Sequence, residues 1–301
     1  MSSSSALVIA IASALVRVGA LDRRAEWQEN IAGPRDVAGY FACIENGLSF
    51  GSLSGDSGVG THGGSEDHAA ILTGIPGRLA AFAFVPMRAI AIVPVPERWR
   101  FVLSPCGVRA QKTGAAREAY NRLAGGTHVL LDLCNIGLPA PAPSLGAALL
   151  NSGPNKEDTA ATSPAAADRL RALVRASTVP GWPRDALEKR LDHFIHEDAR
   201  IPEAVDAFRH ADEGWIGRLA ESSQADAETL LGNQIPETSA LARTARELGA
   251  IASSSFGAGF GGSVWALVEH DRAEAFARRW HADAFIAPPG PPVVELSATE
   301  R

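Results

Sequence analysis

The sequence lacks a basic excess. Its 34 acidic side chains outnumber 28 basic ones, giving a formal charge of −6. The arginines are scattered among acids, as on solvated helix faces. A nucleic-acid binder needs a concentrated basic face, so that class is set aside. Cysteine is scarce: Cys43, Cys106 and Cys134 are odd in number, far apart and form no C-x-x-C pair. This spacing reads as reduced thiols of a cytoplasmic protein, each buried for structural reasons. Long hydrophobic runs are missing too. The run Ala6 to Leu15 is too short to span a bilayer, and no Lys or Arg precedes it to make the positive start of a signal peptide. A membrane partner is therefore not expected, and a secreted or periplasmic binding protein would need this run as its signal core. Apolar on every side, the run reads instead as a helix buried in a core. There is no internal repeat and no heptad pattern.

The chain has 301 residues, of which 46% are hydrophobic and 21% charged. That balance is globular, and the length suffices for two domains. One stretch stands out, Ser253 to Ser263, with glycines at 257, 259, 261 and 262. Such a run lets backbone turn tightly and approach a ligand without an intervening Cβ. Gly257, Gly259 and Gly262 fit G-x-G-x-x-G, but a dinucleotide fingerprint follows a strand and opens a helix. Here a helical pattern, Thr238 to Gly249, precedes and a strand-like run, Val264 to Val268, follows. The remaining alternatives are a ligand-approaching loop and a plain tight connection.

In chain order, the serines Ser2 to Ser5 open directly into the apolar helix. Serines cap free N–H groups, and the same place attracts anions. A polar stretch, Asp22 to Glu29, leads into a helix ending near Asn46. The Gly/Ser-rich segment 47–64 is loop, and Thr61 to His68 opens another helix over Ala69 to Leu72. Strand-like runs follow at Leu79 to Val85, Ala89 to Val95 and Phe101 to Leu103. Gly107 to Leu123 is a loop turning into a helix, while His128 to Leu133 fits strand or buried helix. Pro139 to Ala167 is rich in Pro, Ala and Ser and reads as a flexible connection or insertion. Helices are expected at Ala167 to Ala176, Arg184 to Ala211, Glu213 to Ser222 and Arg272 to Ala284, with a last strand at Val293 to Leu296. His193, His196, His210 and His281 lie in helical, charged surroundings and read as surface residues. His62, Glu66 and His68 could be metal ligands, but their spacing fits none of the zinc signatures.

Three pieces thus occur in order: a Ser-rich helix start, a Gly-framed carboxylate at Asp67, and the late Gly-rich turn. Ser2 to Ala6 resembles the second half of the G-L-S-S-S-A phosphate loop of the GHMP small-molecule kinases. Gly257 to Val268 resembles their late G-A-G-F-G-G motif and its following strand. Phe101 to Arg109, Glu118 to Arg122 and His196 to Arg200 are similar to galactokinase segments. The resemblance, running from Ser2 to about Val268, implies an α+β, two-domain GHMP kinase architecture. Its N-terminal part, resembling ribosomal protein S5 domain 2, would occupy residues 1–135 and be incomplete. A linker or insertion would follow at 136–166, and a ferredoxin-like C-terminal domain at 167–301. ATP and sugar would meet in the cleft between the two domains.

The resemblance further implies phosphoryl transfer from MgATP to a monosaccharide, galactose by default, at its anomeric hydroxyl. Arabinose, a uronic acid and a heptose are alternatives. Asp67, in Gly64-Ser65-Glu66-Asp67, would be the base that accepts the hydroxyl proton; otherwise it is a helix-start carboxylate facing the dipole. Ser2, Ser3, Ser4 and Ser5 would bind the triphosphate. Ser5, or Ser4 in the neighbouring register, would hold Mg2+ together with Glu45 of Ala42-Cys43-Ile44-Glu45-Asn46. Gly64, Gly259 and Gly261 would lie against the substrate. Galactokinases also begin with a segment of the type G-R-x-N-L-I-G-E-H-T-D-Y, which supplies a catalytic Arg and most sugar contacts. Nothing here resembles it, so the chain is expected to be the remainder of a longer protein. If it does begin at Met1, little or no kinase activity is expected, and a decayed kinase or a non-catalytic sugar sensor is the other reading.

Overall fold

A computed structural model describes residues 3–60, 62–84, 87–110, 114–136, 138, 140–150 and 163–287, with backbone only at 3, 4 and 114–116. The contacts divide the described residues into two compact units, one up to residue 94 and one over residues 95–287. The Pro/Ala-rich stretch is not where the units divide. The boundary falls at 94/95 because the strand after it pairs with strands far down the chain.

In the first unit, helix α1 (Ser3–Val18) is followed by α2 (Ala25–Asn30), α3 (Pro34–Asn46) and α4 (Glu66–Thr73). Strands β1 (Arg78–Ala83) and β2 (Arg88–Pro94) form an antiparallel pair with an irregularity between Ala81 and Phe82. The core gathers Ile9, Ile31, Val37, Ala38, Phe41, Ala69, Leu72 and Met87. Pro34 opens α3 at a position whose N–H would lack a helical partner, and Gly47, at φ 72°, closes it in the left-handed conformation. The expectation of a fully buried first helix is corrected here. Ser5 and Ile9 face inward, but Leu7, Ile11, Leu15 and Val18 are 53–88% exposed. At spacings of four and three these form one stripe along the helix, so α1 is amphipathic in its packing although apolar in its composition.

The second unit carries a four-stranded antiparallel sheet ordered β4-β5-β3-β6. Its strands are β3 (Trp99–Pro105), β4 (Ala252–Ser255), β5 (Ser263–Glu269) and β6 (Phe285–Ile286). β3 and β5 pair over seven residues, Trp99 against Glu269 through Pro105 against Ser263. Helices α5 (Gly114–Ile136), α6 (Leu145–Leu149), α7 (Pro164–Ala176) and α8 (Arg184–Arg209) precede α9 (Glu213–Asp226), α10 (Pro236–Glu247) and α11 (Ala273–Trp280). His128 to Leu133 is thereby helix. Leu130, Leu145, Leu149, Leu170, Leu187 and Leu191 build a helical core. Part of the expected flexible connection is therefore packed: Ser144 caps α6 by accepting from the Ala147 N–H, and Leu149 is fully buried. A second core, Val102, Val264, Ala266, Phe276 and Trp280, lies between sheet and helices. The strand expected at Val293 to Leu296 lies outside the described residues.

Candidate functional site

The elements that carry Ser5, Glu45 and Asp67 are all in the first unit. Asp67 is the second residue of α4, where helix N–H groups favour a carboxylate. Ser5 lies in the first turn of α1, and its Oγ donates to Asp67 Oδ2 at 3.3 Å. The hydrogen bond brings two helix N-terminal turns to the same place. Ser5 is 2% exposed and Asp67 half-buried. Glu66 sits beside Asp67 and is exposed. Ser3 and Ser4 take helical backbone in the same turn, and Ser2 lies outside the described residues.

Glu45 meets a partner that the sequence reading did not give it. Its Oε2 lies 3.1 Å from His68 Nε2, and both residues are buried. Since Asp67 and His68 are consecutive, one turn of α4 faces Ser5 with one side chain and Glu45 with the next. The sequence offers His68 as a metal ligand beside His62 and Glu66; in the structure the ring faces Glu45 on α3.

A residue that had carried no expected role links these pieces. Asn46 Nδ2 donates to the Ala42 carbonyl at 2.8 Å, and its Oδ1 accepts from the Gly63 N–H at 2.7 Å. The end of α3 is thereby tied to the segment that opens α4. The Val59 N–H to Glu45 carbonyl bond, 3.0 Å, folds the intervening loop over the same helix end. Gly64 precedes α4 with open space where a Cβ would be.

The late Gly-rich turn belongs to the second unit and meets its own chain closely. Gly259, at φ 79°, would put a Cβ 2.2 Å from the Asn233 carbonyl oxygen, and Gly261, at φ 118°, one 2.6 Å from that of Val108. Asn233 Nδ2 also donates to the Ala258 carbonyl, and the Phe260 N–H to the Asn233 carbonyl. These glycines are required by backbone packing in this unit, whatever else they contact.

The other galactokinase-like segments are braces. Arg122 stacks over Trp182, 4.8 Å to the ring centre, and donates to the Gly181 carbonyl. Arg200 joins Glu197 on α8 to Asp226 on α9, and His196 Nδ1 lies 2.8 Å from Asp226 Oδ2. Burial opposes the Asp226 charge, but hydrogen bonds from Arg200 and then His196 hold its carboxyl below the usual range. His193 departs from its expected surface role: it is partly buried beside Arg190. Cys43 is buried, and desolvation raises both its thiol and that of Cys134. Among the described residues no helix is long and apolar enough to cross a membrane.

Residues 204–287 match the family described as GHMP kinases C terminal. The galactokinase of Thermococcus kodakarensis is 29% identical over 116 residues, 35% of this chain and 33% of that protein. The galactokinase of Pyrococcus furiosus is 31% identical over 111 residues, 34% of this chain and 32% of that protein. The aligned segments thus span about a third of the length of these curated relatives. The solved Lactococcus lactis galactokinase, complexed with galactose, superposes with a TM-score of 0.68 at 21% identity, covering 96% of this chain and 66% of that one. The chain has the fold of this solved galactokinase, and its residues 204–287 are similar to the GHMP kinase C-terminal family. The curated relatives named above are galactokinases, to which about a third of the chain is similar.

Proposed function

We propose that this chain belongs to an ATP-dependent sugar kinase, with Asp67 accepting the proton of the sugar hydroxyl that attacks the γ-phosphoryl group. The observation that carries the reading is the Ser5–Asp67 hydrogen bond at the meeting of two helix starts. The free N–H groups of the first turn of α1 suit triphosphate oxygens. A carboxylate beside them is within reach of a nucleophile held against the γ-phosphoryl group. Ser5 would exchange its present acceptor for the nucleotide site, freeing an Asp67 oxygen for the sugar hydroxyl. The galactokinase relatives make galactose the first sugar to test, and the anomeric hydroxyl its first position.

Mg2+ fits the oxygen donors present. The Ser5 hydroxyl and the Glu45 carboxylate are hard ligands on neighbouring elements, and both residues are buried. Among the described residues no three His, Cys, Asp or Glu side chains gather as a metal cage. Mg2+ does not need one, since it commonly takes one or two protein ligands and completes its shell with phosphates and water. When bound, the ion would neutralise charge on the triphosphate. Ser5 and Glu45 would hold it, and Asp67 would orient the sugar hydroxyl and take its proton.

The test uses the full-length natural protein in excess of γ-labelled ATP, with a panel of free sugars that includes galactose, arabinose, a uronic acid and a heptose. The reading predicts a labelled sugar 1-phosphate for one of them. Label appearing only as inorganic phosphate, or no sugar-dependent transfer with any of them, overturns it.

A further inference from the structure

His68 is 2% exposed, where α3 packs on α4 and Ala38, Phe41, Ala69 and Leu72 are also buried. An apolar side chain would fill that space without a polar group to desolvate, and burying an imidazole is costly unless something matches it. Neither ring nitrogen has a hydrogen-bond partner among the described residues. Nε2 nonetheless lies 3.1 Å from Glu45 Oε2, with no hydrogen bond made across the gap. A neutral imidazole nitrogen and a carboxylate oxygen both present lone pairs, which repel at this range unless they share a positive charge. Ligand bonds of about 2.1 Å set near a right angle put two donor atoms about 3 Å apart. The spacing is thus that of neighbouring ligands on one cation.

We propose that His68 Nε2 joins Glu45 as a ligand of one divalent cation and tilts the site toward first-row ions that accept nitrogen, such as Co2+ and Zn2+. The inference rests on the kinase reading above, which gives that cation its place beside the triphosphate. A hard ion such as Mg2+ takes oxygen ligands and gains little from an imidazole. Ions later in the first row bind it well, so the ring raises their affinity selectively. Ser5 and Glu45 offer only oxygen, and any preference beyond that of an all-oxygen site is carried by His68. With Nε2 on the ion, Nδ1 keeps the ring proton. No acceptor among the described residues holds that proton, so the ring lacks the carboxylate backing that strengthens most metal-bound histidines. The selectivity it adds is accordingly modest.

The test uses the full-length natural protein as its equimolar complex with ADP. Co2+ binding is followed by visible absorption. Mn2+, which favours oxygen ligands as Mg2+ does, is followed by loss of the free-ion electron paramagnetic resonance signal. H68Q is expected to weaken Co2+ about 10-fold while changing Mn2+ by less than about threefold. The native Co2+ complex should also show the Nδ1 proton of His68 as a resonance far outside the diamagnetic range, absent from H68Q. Should H68Q fail to fold, H68L, which fills the ring's space with apolar atoms, replaces it. Equal loss of both ions would mark a ring that only supports the fold, and overturns the proposal. Unchanged Co2+ affinity in the variant, or no shifted resonance in the native complex, overturns it too; Mn2+ bound with ADP then leaves the kinase reading standing. If the native protein binds neither ion with ADP, both are overturned.

Discussion

Acidification should weaken the second unit through His193. Arg190 Nη1 donates to His193 Nδ1 at 3.2 Å, while its Nε and Nη2 reach the Leu123 carbonyl and Thr127 Oγ1 on α5. The guanidinium fixes the ring as an acceptor and so as a neutral imidazole. Burial, and then the Arg190 charge, lower the His193 pKa from 6.5 to about 4, against opposing contributions from Glu197 and Asp226. Arg190 is itself lowered to about 10 by burial. Between pH 6.5 and 4 the unfolded chain binds a proton here that the native state refuses. The stabilisation is therefore complete above pH 6.5 and lost as the pH falls toward 4. The gap corresponds to at most ~3.4 kcal/mol, and solvent screening of the partly open ring reduces the expected loss to roughly 1–2 kcal/mol. The assay compares urea unfolding at pH 7 and pH 4.5 for the native chain and His193→Gln, which can accept from Arg190 without titrating. Carboxylate protonation is common to both proteins and cancels. The native chain should lose more stability than the variant over this interval, and the ring proton resonance of His193 should show no inflection near pH 6.5. Equal losses in both proteins, or a ring titrating near 6.5, would refute the reasoning.

Two further changes test the scaffold around each motif. Gly259→Ala would place a methyl 2.2 Å from the Asn233 carbonyl at a positive φ. It should destabilise by about 2–4 kcal/mol, seen as a lower melting temperature; an unchanged melt would mean that the turn relaxes freely. Asn46→Ala removes the Gly63 N–H bond that ties α3 to the opening of α4, together with the side-chain bond to Ala42 within α3. It should cost about 1–3 kcal/mol and raise amide exchange near Gly63, whereas unaltered exchange there would show that the tie is dispensable.

The helix starts and stops were legible where local chemistry decides them. Asn46 followed by Gly47 marks the end of α3, and two short apolar runs mark β1 and β2. What local pattern could not give was which side of an all-apolar helix is covered, because α1 offers no polar face to orient it. β4 was hidden because Ser253, Ser254 and Ser255 are small and polar, and their burial comes from tertiary bonds. Ser253 Oγ donates to the Trp265 carbonyl and Ser254 Oγ to Gln224 Oε1. At the candidate site, Ser5, Glu45 and Asp67 were each visible by resemblance. The Glu45–His68 pair was not, because a contact across 23 positions leaves no periodic signal. Its only trace was a histidine beside the candidate base.

The central claim is that Asp67 removes the proton of a sugar hydroxyl, and Asp67→Asn tests it most directly. The amide keeps the shape and can still take part in a hydrogen bond with Ser5, but cannot accept the proton. Under single-turnover conditions with the sugar that the panel identifies, transfer should fall about 10²- to 10⁴-fold, while Mn2+–ADP binding stays within about threefold of the native value. Transfer at the native rate by Asp67→Asn would contradict the account.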